Sequence, residues 1–213
     1  MREGKKHFGP AEFEYWDKMS TYSIIADRNK VYYNFQKVRY ILRHLSGYEL
    51  LSESILEIGA AMGFVAGAML SGGTIKKYTC TECGDGYIKF LRDRWHINAD
   101  KAKMDCLPYP AQSFDVAFLF DVLEHIRPSE RESSYRELSR VLKDKKRIFI
   151  NNPSMQNKSY HNKDFDNNFG FAEIEAFAKS LDCQITNVSY YECLGYGGEK
   201  IPNYYHFIEV TNK

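Results

Sequence analysis

Four acidic residues of this chain, Glu57, Glu82, Asp105 and Asp121, carry carboxylates suited to binding sugars, amides or cations. The first is Glu57, which follows Ile55-Leu56 and precedes Ile58-Gly59-Ala60-Ala61-Met62-Gly63. The small-residue turn opens into Phe64-Val65-Ala66-Gly67-Ala68-Met69-Leu70, so the stretch reads as buried strand, tight turn and helix. At such a junction, backbone N–H groups come close to a ligand at a helix N-terminus. Glu82 follows 23 residues after Gly59, closing Lys77-Tyr78-Thr79-Cys80-Thr81-Glu82. A carboxylate at the tip of a second strand can accept hydrogen bonds from both hydroxyls of a ribose. Asp105 and Cys106 come next, in Met104-Asp105-Cys106-Leu107-Pro108-Tyr109. Asp121 then ends the largely apolar run 114–120, ahead of Val122-Leu123-Glu124-His125. A histidine titrates near neutrality, where a side chain serves well as acid or base.

In this order the segments resemble the class I S-adenosylmethionine-dependent methyltransferases, and most closely their small-molecule branch, methyltransferase type 11. The resemblance covers residues 50–153 well and residues 170–212 by pattern. It is carried by Asp105 to Tyr109, Phe114-Asp115 and Leu123-Glu124-His125. A glycine-rich turn by itself occurs in many nucleotide-binding folds. Two features depart from the family. Its middle glycine is Ala61 here, the smallest intrusion a side chain can make. Its Pro-Gly-Gly turn before the fifth strand is replaced by Lys143-Asp144-Lys145-Lys146, a turn by charge.

The resemblance implies an α/β fold with a Rossmann-like, doubly wound, seven-stranded sheet, mostly parallel with the last strand antiparallel. An N-terminal helical cap would be added to it. It implies S-adenosylmethionine as cofactor, with S-adenosylhomocysteine as product. Gly59, Ala61 and Gly63 would then cradle the ligand, and Glu57 would steady its cationic amino group through the loop or a water. Glu82 would hold the ribose. Asp105 would accept from the adenine amino group, with Cys106 beside it. The backbone carbonyls of Phe120 and Asp121 would bind the methionine ammonium beside the transferred methyl. Simpler roles compete: Glu57 as a solvated strand end, Asp105 as a turn residue before Leu107-Pro108, His125 as a loop cap.

Methyl transfer from a sulfonium is an in-line displacement, so the protein's main task is alignment of nucleophile, methyl and sulfur. A base is needed only where the acceptor must lose a proton. His125 is the candidate for it. Tyr15, Tyr22, Tyr160, His161 and His206 are candidates for contact with the acceptor.

Elements must hold these residues in place. Phe13, Trp16 and Met19 recur at spacing three. Val31, Phe35, Val38, Leu42 and Leu45 draw one apolar stripe, closed by Ser46-Gly47. Two helices are expected there, as a cap over residues 1–48 packed on a core of residues 49–213, in a single domain. Strands and helices then alternate, which predicts a parallel sheet covered on both faces. Run 114–120 reads as a strand buried on both sides. Ser129-Glu130-Arg131-Glu132 after Pro128 reads as a capping box opening the helix of Tyr135, Leu138 and Leu142. A strand over 147–151 and a helix with Phe171, Ile174, Ala178 and Leu181 on one face follow. Two late strands, about 183–192 and 204–211, are joined without a helix and must pair antiparallel. The polar interval 153–168 leaves the carboxyl end of a strand, where ligands of open sheets bind.

Composition excludes several classes. Of 213 residues, 44% are hydrophobic and 27% charged, as in a globular domain. A net charge of +1 leaves no footprint for nucleic acid. No apolar run has membrane-spanning length, and the basic start lacks an apolar segment behind it. The expected location is cytoplasmic, which also suits five scattered cysteines, an odd number. Cys80-Thr81-Glu82-Cys83 has no second pair at matching spacing, so no metal is expected. DNA amine methyltransferases carry an Asn/Asp-Pro-Pro-Tyr/Phe after the fourth strand, where this chain has Phe120-Asp121-Val122-Leu123. A dehydrogenase would explain Gly59 and Glu82 but not Asp105 or Leu123-Glu124-His125. The acceptor is therefore expected to be a small molecule. The alternatives are a protein or peptide acceptor, or a non-catalytic S-adenosylmethionine-binding protein.

Overall fold

A computed structural model describes residues 28–50, 53–71, 75, 77–153, 169–194 and 200–213. Helix α1 (Arg28–Leu45) leads into strand β1 (Ser54–Ile58) and helix α2 (Phe64–Ser71). Strand β2 (Lys77–Glu82), helix α3 (Asp85–Trp95), strand β3 (Asn98–Lys101) and strand β4 (Phe114–Phe120) follow. Short 3-10 turns at Leu123–His125 and Pro128–Glu130 precede helix α4 (Arg131–Val141) and strand β5 (Leu142–Pro153). The chain closes with helix α5 (Phe171–Ser180) and strands β6 (Cys183–Leu194) and β7 (Lys200–Asn212).

The strands form a seven-stranded sheet in the order β3-β2-β1-β4-β5-β7-β6. Strands β1 to β5 pair in parallel, and β7 runs antiparallel to both β5 and β6. This is the expected doubly wound, Rossmann-like sheet, including the antiparallel last strand. The order reverses between β1 and β4, and a crevice opens there at the carboxyl ends of the strands.

The sheet is buried on both faces. Leu56, Leu119 and Ile150 pack on one side with Leu138 of α4 and Phe177 of α5. Ile55, Phe118 and Phe149 pack on the other with Ile41 of α1, Val65 of α2 and Leu91 of α3. Phe118 and Phe149 are fully buried with their rings edge to face at 5.7 Å. Burial of one such side chain contributes about 1.5–3 kcal/mol. Strand β4 is apolar on both faces because it lies in the middle of the sheet.

Helix α1 is the described part of the cap. Val38, Ile41 and Leu45 are buried against the sheet, so the apolar stripe does face the core. His44 fixes the helix to β6 through Ser189 Oγ at 2.8 Å, and its ring stacks on Phe207 at 4.8 Å. Phe13, Trp16 and Met19 lie outside the described residues, as do the side chains of Val31 and Phe35 and the interval 154–168. Among the described residues no helix is long and apolar enough to cross a membrane.

Two local expectations are corrected. Helix α4 has no capping box: no side chain caps its N-terminus at Glu130. Pro128 presets φ and starts a 3-10 turn over Pro128–Glu130, which absorbs Ser129 before the helix begins. Ser133 Oγ instead donates to the Glu130 carbonyl at 2.9 Å. Lys143 to Lys146 are not a turn ahead of a strand. They form an irregularity inside β5, whose register to β4 shifts between Phe114 and Val116. Lys143 Nζ lies 2.7 Å from Asp115 Oδ1 across that step.

Candidate active site

A cavity of about 250 Å³ opens where the sheet order reverses. Glu57, Gly59, Ala61, Glu82, Asp105, Phe120, Asp121 and His125 all line it, from segments far apart in sequence. Gly63 and Cys106 do not line it. Cys106 is exposed.

The turn after β1 is built on left-handed backbone. Gly59 has φ +70, and a Cβ there would lie 2.8 Å from Val122 Cγ2. Gly63 has φ +67, and its Cβ would lie 2.4 Å from Leu91 Cδ2. Gly63 is therefore a packing glycine for α3, where sequence reasoning saw a place for the ligand. Between them Ala61 also has a positive φ of 47, a backbone that costs an L-residue about 1–2 kcal/mol. Its side chain is exposed, so the methyl does not crowd the protein.

Glu82 closes this turn from β2. It is 6% exposed, and its Oε1 accepts the Ala61 N–H at 2.5 Å. Its Oε2 accepts the Cys83 N–H at 3.0 Å, and the Gly84 N–H adds a third donor. Burial nevertheless outweighs these amides and pushes its carboxyl up to about 7. A carboxylate has about four lone-pair sites. Three are taken by backbone, so two ribose hydroxyls would need the Ala61 N–H to share or yield its place.

Glu57 is not a solvated strand end. It is 3% exposed and accepts the Tyr78 hydroxyl at 2.7 Å. Burial pushes its carboxyl up to about 7, helped by repulsion from Glu82 and opposed by Tyr78, Lys37 and Cys80. The same burial, with Glu57 beside it, holds the Tyr78 hydroxyl well above its ordinary range.

Asp121 ends β4 with a left-handed φ of 56. Its N–H donates to the Asn151 carbonyl at 2.7 Å. Its Oδ1 accepts Asn151 Nδ2 at 3.2 Å, and its Oδ2 accepts Tyr205 OH at 3.4 Å. The Tyr191 hydroxyl in turn donates to Asn151 Oδ1, and its ring stacks between Tyr40 and Tyr205. The remaining partner is Lys37 of α1, whose Nζ lies 2.5 Å from Asp121 Oδ2. Lys37, Val38 and Ile41 bring the cap helix into the cavity wall. Sequence reasoning missed Lys37, because a stripe of apolar spacings marks a buried face and not the polar residue at its edge.

At the other end Asp105 lies half-buried with Met104 and Lys103, and Lys103 Nζ lies 3.4 Å from Glu130 Oε1. His125 ends the 3-10 turn after β4, its N–H donating to the Val122 carbonyl at 3.0 Å. His206 does not line the cavity. It is 2% exposed in β7, opposite Asn152 of β5, and burial lowers its imidazole to about 4. Tyr15, Tyr22, Tyr160 and His161 lie outside the described residues. Cys80, Cys83, Cys106 and Cys183 are unbridged, and among the described residues no group of His, Cys, Asp and Glu is placed to hold a metal.

Comparison with known proteins agrees with this frame. Residues 55–145 match the family model described as a methyltransferase domain. No curated protein matches the chain. Among solved structures, magnesium protoporphyrin IX methyltransferase from Synechocystis, with bound SAH, superposes with a TM-score of 0.72 at 11% identity, over 96% of this chain and 99% of that one. A SAM-dependent methyltransferase from Methanosarcina mazei gives 0.64 at 17% identity, over 79% of this chain and 96% of that one. The 4+2 cyclase SpnF gives 0.62 at 12% identity, over 81% and 80%. At these identities the likeness shows the fold, and one fold hosts several chemistries. Residues 55–145 thus match a methyltransferase domain, and the sheet has the fold of these methyltransferases and of the cyclase.

Proposed function

We propose that the chain transfers the methyl group of S-adenosylmethionine to a small-molecule acceptor. The observation that carries this reading is the single cavity that gathers Asp105, Glu82, the Gly59–Ala61 turn and Phe120–Asp121. Their chemistry suits an adenine amino group, a ribose, a chain tail and an ammonium, in that order. Asp105 and Glu82 are acceptors, as an amino group and hydroxyls require. The turn supplies close backbone, and the β4 end supplies carbonyls. When bound, S-adenosylmethionine supplies a sulfonium-activated methyl. The residues around it would bind, align and exclude water, and His125, which lines the same cavity, would take a proton from the acceptor where one must leave.

A small acceptor is favoured by the shape of the site, a cavity of about 250 Å³ partly walled by Lys37, Val38 and Ile41 of α1. Calorimetry with S-adenosylmethionine, S-adenosylhomocysteine and NAD tests the donor. The expected result is 1:1 binding of both adenosyl ligands and none of NAD. Binding of NAD without response to either adenosyl ligand would overturn the reading. Incubation of metabolite fractions with methyl-labelled S-adenosylmethionine then asks which compound gains the label.

A further inference from the structure

The two residues before Pro153 at the end of β5 are both asparagines, both fully buried, and they point to opposite faces of the sheet. Asn151 serves the α1 face: its Nδ2 donates to Asp121 Oδ1 at 3.2 Å, and its Oδ1 accepts the Tyr191 hydroxyl. Asn152 serves the α4 face: its Nδ2 donates to Glu124 Oε2 at 2.5 Å. Asp121 and Glu124 thus flank Val122, and His125 follows, both of them in the cavity wall. Asn152 is a costly residue for its place. It continues the face of Ile148 and Ile150, which are fully buried in the core, and its register partner His206 likewise follows the face of Ile208 and Val210. Its Oδ1 is buried with no hydrogen-bond partner among the described residues. An apolar side chain would extend the core without that penalty. The bond its side chain makes among the described residues is the one to Glu124. Glu124 is buried in a 3-10 turn of three residues, Leu123–His125, and so short a turn does not hold itself. Leu123 is seated in the core, and Asn152 ties Glu124 to β5.

The geometry points to Asn152 as a positioning residue: its bond to Glu124 sets the 3-10 turn, and with it the place of the His125 ring in the cavity. This rests on His125 acting on the acceptor there, as proposed above. Asn151 holds Asp121 separately, from the other face of the sheet. Loosening the Glu124 side therefore spares the donor and disturbs the transfer. Transfer is the sensitive step, because a displacement of about 1 Å among reacting groups can cost about a hundredfold in rate.

The test uses Asn152→Leu, Glu124→Leu, the double variant with both leucines, and the double variant Glu124→Gln/Asn152→Asp, which keeps both shapes and reverses the bond. Calorimetry with S-adenosylhomocysteine reads the donor site. NMR reads the His125 imidazole signals, assigned by their loss in His125→Gln. Single turnovers with the acceptor that takes the label read transfer. In the wild-type chain S-adenosylhomocysteine should shift the His125 signals. Each leucine variant should bind S-adenosylhomocysteine nearly as tightly, lose that shift, and transfer about ten- to a hundredfold more slowly. The double leucine variant should be no worse than either single one, as for residues that act through one contact. The reversed pair should restore both the shift and the rate. Where Asn152→Leu fails to fold, Asn152→Ala, which adds no bulk, takes its place. An unaltered His125 shift in the leucine variants overturns the assignment, and so does a folded reversed pair that restores nothing. Loss of S-adenosylhomocysteine affinity in step with the rate also overturns it, because Asn152 would then support the whole loop. Binding to the wild-type chain without any shift of His125 refutes the inference and leaves the donor site standing. If the wild-type chain binds no S-adenosylhomocysteine, the proposed function falls first and this inference with it.

Discussion

Glu82 Oε1 accepts the backbone N–H of Ala61, the residue that stands in the place of the family's middle glycine. One carboxylate thus joins the tip of β2 to the turn after β1. Here its two oxygens satisfy three backbone amides, so binding and local structure share one side chain.

The two roles separate in two substitutions. Glu82→Ala leaves those amides without their acceptor, at about 1–3 kcal/mol for each one that stays unsatisfied. A clear drop in urea stability is expected. Glu82→Gln keeps the shape and one acceptor oxygen but removes the charge. Its affinity for S-adenosylhomocysteine should fall about ten- to a hundredfold with a smaller loss of stability. A folded Glu82→Gln protein with wild-type affinity would remove Glu82 from the ligand site.

Glu57 and Glu82 give a stability that depends on pH with a definite sign. Burial raises both carboxyls from 4.5 to about 7 in the folded protein. Each group therefore takes up a proton on folding between those values. Its contribution is fully present below about pH 4.5 and is lost as pH rises through 7. A difference of that size corresponds to about 3 kcal/mol for each carboxyl. Urea unfolding at steps from pH 5 to pH 8 should show this decline, and Glu57→Gln should flatten it. Affinity for S-adenosylhomocysteine should move the other way, because the ribose is held by the ionised form of Glu82. A Glu57→Gln profile as steep as wild type would place the titration elsewhere.

Ala61 tests the departure from the family. At φ 47 it adopts a backbone that costs about 1–2 kcal/mol, and glycine would relieve it. Glycine also loses about 0.5–1 kcal/mol of chain entropy, so the net gain for Ala61→Gly lies between about zero and 1.5 kcal/mol. The methyl is exposed, so no packing is lost. The urea midpoint should rise slightly, and S-adenosylhomocysteine should bind at least as well. A lower midpoint would mean that the methyl makes contacts the turn depends on.

Much of this frame could be read from residue patterns, and what was missed has physical causes. The apolar run 114–120 identified a central strand because both faces of β4 are buried. The absence of a helix between the last two strands forced their antiparallel pairing. Glu57, Gly59, Glu82, Asp105 and Asp121 converge because each lies at or after the carboxyl end of a strand, and parallel strands bring those ends to one edge. Lys37 had no such marker, since its role depends on how α1 lies across the sheet. Gly63 was legible as a required glycine but not in its reason, because Leu91 lies 28 residues away in sequence. The capping box at Ser129 failed because Pro128 began a turn one step too early.

His125 is the last test, and it also sorts the acceptors. Its place after β4 puts it in the cavity wall beside Asp121 and Val122. Where the acceptor is a hydroxyl, a base near neutrality contributes typically about 10²–10⁴ in rate. His125→Ala should then lower turnover by that order, with affinity for S-adenosylhomocysteine nearly unchanged. Where the acceptor is a neutral amine or an activated carbon, no proton need leave before attack, and the loss should be small. Single-turnover transfer from methyl-labelled donor separates the chemical step from binding and release. Full turnover of a folded His125→Ala protein on a hydroxyl acceptor would take His125 out of the mechanism. Asp121, whose carboxylate faces the same cavity within the Asn151, Tyr205 and Lys37 network, would then be the next group to replace.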